Sequence, residues 1–177
     1  MNEKMPKKIL NMIDDEYVSI IEQIIKNKEF IKRKNYNHHE SRSVYGHCLL
    51  VSIYSYNISK KLGLDYKSTA IAGLLHDFYY NDWQKNRRKG PIYKAHGFTH
   101  SKEALENTKT HFSNLLNKKI KNAIVRHMFP LNIIFPLYLE SWIICLVDKY
   151  CSLEVFTKPK QLYKYIGLKK KDGELNE

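Results

Sequence analysis

The chain has 177 residues, 43% of them hydrophobic, and a formal charge of +12 from 30 Lys and Arg against 18 Asp and Glu. That length and apolar content fit one domain spanning 1–177 around a single core, and no internal repeat points to an array. The most apolar stretch, Ile133 to Val147, is broken by Pro136 and Glu140 and is too short to span a bilayer. MNEKMPKK leads into no apolar signal core, so no membrane association and a cytoplasmic location are expected. Cys48 and Cys145 sit in apolar helical stretches with no CxxC spacing, which speaks for reduced core thiols and against a disulfide framework or zinc knuckle.

Only 7 Gly and 5 Pro, with Lys, Ile, Leu and Glu at helical spacing, predict an all-α bundle of six or seven helices. Residues 9–31 read as a first amphipathic helix through Ile9, Met12, Ile13, Tyr17, Ile20 and Ile24, followed by the polar link NYNHHESRS, whose His38 and His39 read as surface histidines. From Val44 to Leu62 the apolar positions 44, 48, 51, 58 and 62 share one face, with His47 at its edge and Gly63 closing the helix. Asp65 caps the next helix, which ends in AGLLHDF with the dyad His76 and Asp77. Residues 81–98 read as a long loop, and Thr99 or Ser101 as the cap of a helix with His100 in its first turn; His111 reads as a surface residue. A helix from about Asn117 carries Ile120, Ala123, Ile124 and His127 on one stripe and stops before Pro130. The last helix, around Trp142 to Val147, is apolar in every direction and is expected to be central, with Asp148 inside it.

Four histidines and two aspartates, His47, His76, Asp77, His100, His127 and Asp148, thus fall on inward-looking positions of five predicted helices. Each costs several kcal/mol to strip of water unless something pairs with it, on the order of the penalties for buried polar and charged groups. Arginine is scarce, so pairwise ion pairs cannot satisfy all six; one or two divalent cations can. The donor set suits Fe, Mn, Zn, Co or Ni better than Mg or Ca alone.

His47, then His76-Asp77, then Asp148, in the contexts YGHCLLV, AGLLHDF and IICLVDKY, resembles the H…HD…D signature of the HD-domain superfamily of metal-dependent phosphohydrolases. The resemblance spans about 44–156, leaving a basic tail from about 158. HSKEAL (100–105) and IVRHMFP (124–130) supply the two further histidines of the dinuclear subset, and symmetrically cleaving diadenosine tetraphosphate hydrolases are similar in size and ligand order. The resemblance implies one metal held by His47, His76, Asp77 and Asp148, with Asp77 bridging to a second held by His100 and His127. It implies hydrolysis of a phosphoester or phosphoanhydride, in a nucleotide or similar small phosphorylated substrate, by metal-activated water.

Around those positions, Asp77 and Lys149 are the expected catalytic residues, and Lys149, Arg126, His96 and Arg88 the expected substrate contacts. Phe78, Tyr79 and Tyr80 stand where many members carry a lysine, and no GYP motif of cyclic-di-GMP phosphodiesterases is present. The same six residues also resemble HD-type di-iron oxygenases, and a metal-containing module that binds a nucleotide without turnover is a third reading. The charge comes from 25 Lys and only 5 Arg, concentrated at KNRRKG (85–90) and in the tail. With no nucleic-acid module motif, nucleic acid is a minor expectation beside a small phosphorylated ligand and a possible homodimer.

Overall fold

The computed structural model describes residues 11–35, 37–38, 42–80 and 96–153. Among them run seven α-helices: α1 (Asp15–Ile25), α2 (Lys28–Ile31), α3 (Val44–Lys61), α4 (Tyr66–Leu75), α5 (His96–Phe112), α6 (Lys118–Arg126) and α7 (Leu139–Leu153). The expected all-α class holds; a two-residue ladder, Asn37–His38 antiparallel to Arg42–Ser43, is the sole sheet among the described residues. No helix of these residues is long and apolar enough to cross a membrane.

Helix starts follow from short polar side chains that accept the backbone donors a first turn leaves open. Asp14 accepts from Tyr17 N at 2.7 Å, Asp65 from Ser68 N at 3.0 Å and Asn117 from Ile120 N at 2.9 Å. Asn27 does the same for Glu29 N at 2.8 Å, so the expected single helix over 9–31 is two, α1 and α2, with a fresh start inside the segment. Gly63, at φ 66°, ends the α3 segment in a left-handed conformation that costs glycine nothing.

The structure corrects which helix is central. Every residue from Val44 to Ile53 of α3 is buried, whereas α7 leaves Leu139 and Leu146 at 65% and 60% exposure. Apolarity in all directions marked α7 as enclosed, but an apolar face can point out of a chain as well as into it. The buried serines of α3 are small enough to be enclosed, and Ser52 is bonded twice: it receives the Tyr17 hydroxyl at 2.9 Å and donates to Ala70 O at 2.7 Å. α5 begins at His96, so Thr99 and Ser101 lie inside the helix rather than capping it, and His100 falls in its second turn. His111 is half-buried, 2.5 Å from the Tyr80 hydroxyl, and not a surface residue.

Candidate metal centre

Five helices bring the six polar residues together. His47 stands in the first turn of α3, His100 on α5 and Asp148 on the inner side of α7. His76 and His127 share a local design: each is the C-cap residue of its helix, α4 and α6. Each turns its Nδ1 back onto a carbonyl of the last turn, His76 onto Gly73 O at 2.9 Å and His127 onto Ile124 O at 2.7 Å. A carbonyl only accepts, so Nδ1 carries the hydrogen, and Nε2 of the neutral ring presents its lone pair to the interior. The chain turns sharply after α4, and Asp77 follows His76 into the same space.

All six residues are buried and form two groups, His47 with His76 and Asp148, and Asp77 with His100 and His127. In the first, His47 Nε2 lies 3.0 Å from Asp148 Oδ1 and 3.3 Å from His76 Nε2. In the second, His100 Nε2 and His127 Nε2 are 3.0 Å apart. Asp77 stands between them: Oδ2 is 3.6 Å from His76 Nε2, while Oδ1 is 3.4 Å from His100 Nε2 and 3.6 Å from His127 Nε2. Imidazole lone pairs converging at such distances beside carboxylates need a positive centre between them, a proton or a cation. The donor set, nitrogen-rich with shared carboxylates, is that of transition-metal sites, and the buried groups fit a metal.

Electrostatics divides the labour. Burial pushes the His76 imidazolium down, but the Asp77 charge and the Asp148 contact outweigh it and raise its pKa to about 9. His127 goes the other way, to about 3, through burial and then the positive charge of His76 and His100, which keeps its ring neutral. Burial disfavours both carboxylates' charged forms, yet His76, His100 and His127 hold Asp77 well below the usual carboxylate range, and His47 and His76 do the same for Asp148. Both aspartates are therefore anions, ready to ligate.

The HD domain family matches residues 44–153, which contain all six. The chain belongs to the HD-domain family. No curated protein and no solved structure matches it.

Other expected site residues of this HD domain are less gathered. Lys149 Nζ donates to His127 O at 3.0 Å and Cys145 O at 3.2 Å, tying the end of α6 to α7. Arg126 is half-buried and makes no ion pair among the described residues. His96 opens α5, though its side chain lies outside the described residues, as do Arg88 and the whole 81–95 segment.

Two residues near the centre, Arg33 and Asn107, escaped the sequence reading. Arg33, fully buried, donates to Tyr79 O and lies over the rings of Phe78 and Tyr80 at 5.0 and 4.8 Å. With Asn107, which donates to Phe78 O at 2.8 Å, it fixes the three aromatics that leave the dyad. In sequence it is one cation of KRK, with no signal to separate it from its neighbours. The Cys48 thiol, whose pKa is raised by burial and by the charges of Asp77 and Asp148, was expected as a reduced core thiol and belongs to neither group.

Proposed function

We propose that this HD domain is a phosphohydrolase with a dinuclear centre, cleaving a phosphoester or phosphoanhydride of a nucleotide or similar small phosphorylated substrate. The observation that carries the reading is the Asp77 carboxylate, which turns one oxygen towards each buried group. His47, His76 and Asp148 would hold one divalent transition-metal ion, His100 and His127 a second, with Asp77 common to both. When bound, such ions supply water activated at neutral pH and positive charge against phosphoryl oxygens.

The chain's own part is orientation. Gly73 O and Ile124 O fix the tautomer and direction of His76 and His127, and Asp77, kept anionic by the surrounding imidazoles, keeps the two groups in register. Lys149 serves as a positioning residue, because its ammonium holds the carbonyl of His127. Arg126, unpaired among the described residues, is the cation available to a substrate phosphate.

Metal analysis by mass spectrometry on protein purified without chelator, in the wild type and in Asp77→Ala, tests the site. Two transition-metal ions per wild-type chain, sharply reduced in the variant, are expected, followed by phosphate release from a nucleotide panel by the wild type alone. One ion per chain would leave one group a hydrogen-bonded cluster. Oxygen consumption without phosphate release would turn the same ligands to oxygenase chemistry, and tight nucleotide retention without product to a binding module.

A further inference from the structure

Among the described residues, eight of the ten exposed large hydrophobic side chains lie between 131 and 150. They occupy the connection from α6 to α7 and the outer side of α7: Ile133 is 88% exposed, Leu137 and Leu139 65%, Leu146 60%, Ile134 and Phe135 55%. Their exposed surface sums to on the order of 800 Å², comparable to one partner's share of a standard interface.

The charge pattern selects the occupant. The chain carries 30 Lys and Arg, yet residues 127–148 contain none, and half-buried Lys149 turns its ammonium onto His127 O and Cys145 O. The two acids of that stretch, Glu140 and Asp148, are buried at 5% and 8% exposure, so the face is neutral as well as apolar. A segment that docks on an anionic bilayer sets cations beside its apolar side chains; this one excludes them. Two copies of a +12 chain repel, and a cation-free face is where they can approach with least repulsion. An apolar neutral patch is also complementary to itself across a two-fold axis, as a symmetric dimer requires.

We propose that this face is the docking surface for a second copy of the chain, with Ile133 and Leu146 at its centre. The dimer backs α7 from the side opposite Asp148, leaving the metal centre of each copy facing away from the contact.

Sedimentation equilibrium of the full chain over a range of protein and NaCl concentrations tests this. The expected wild-type mass is twice 21.0 kDa, with association tightening as salt rises because repulsion is screened. Ile133→Glu and Leu146→Glu alter exposed positions, so far-UV circular dichroism should be unchanged while the dissociation constant rises at least about tenfold, or 1.4 kcal/mol. Ser19→Glu, which adds the same charge at an exposed position on α1, should leave association intact. Should either Glu variant misfold, Ile133→Asn provides the same reading with a neutral side chain. A wild type that stays monomeric at every salt concentration, or a dimer indifferent to these variants, overturns the proposal. So does a monomer that binds phosphatidylserine vesicles through Ile133, an association that salt would weaken.

Discussion

At the scale of single residues, Gly73 couples packing to the site. A Cβ built there would meet Ser52 Cα at 2.5 Å and Ser52 N at 2.8 Å, both backbone atoms of α3 that cannot turn aside. Gly73→Ala must therefore separate α3 from α4, at a cost of roughly 1–3 kcal/mol as in other overpacked cores. The urea midpoint should fall with an unchanged slope. Because Gly73 O also orients the His76 ring, metal affinity should fall with it. His76 makes a second prediction. Its metal-free pKa of about 9 means that the ring carries a proton at neutral pH, which a metal must displace. Metal uptake should release protons, and affinity should rise with pH until about 9 and then level. Calorimetric titrations in buffers of different ionisation enthalpy measure both. All six centre residues were legible as candidates because polar groups inside apolar helix faces stand out. Arg33 was not, since burial of one cation in a basic run depends on Phe78 and Tyr80, distant in sequence.

Among elements, helix ends are held by charge as well as by caps. Glu140, in the first turn of α7, accepts from Lys119 Nζ of α6 at 2.5 Å and from Asp65 N, the cap of α4, at 3.2 Å. Burial raises the Glu140 pKa, but the Lys119 contact outweighs it and the value falls below the ordinary 4.5. A carboxylate depressed on folding stabilises the protein above its unfolded pKa, and that contribution is lost as pH falls through the folded value. Denaturant unfolding should therefore show stability declining below about pH 4.5, with a shallower decline in Glu140→Gln. Asp14 joins α1 to α3, capping Tyr17 N while accepting from Tyr56 and Lys60. Asp14→Ala should lower stability by about 0.5–2 kcal/mol, the usual range for a lost cap. Asp65 is readable from the chain as a cap and Asn117 as the start of a helix, whereas Asp14, inside the expected 9–31 helix, is not, nor is the ranking of α3 over α7 as the enclosed helix. Periodicity says that a face is apolar, not whether its partner belongs to the same chain.

For the whole molecule, metal should behave as a fastener. An ion that binds only the folded chain stabilises it by about 2.7 kcal/mol at a hundredfold excess over its dissociation constant, a melting shift of roughly 5–10 °C for this size. Thermal scans with added Mn or Zn should show that rise in the wild type and a much smaller one in Asp77→Ala. Chain order adds a temporal consequence. Synthesis delivers the N-terminal residues first. The group of Asp77, His100 and His127 is complete once α6 exists, whereas His47, the earliest of the six to be made, waits across 101 residues for Asp148. On the dinuclear reading proposed above, the site of Asp77, His100 and His127 can fill before that of His47, His76 and Asp148, whose filling would register that the last helix has docked.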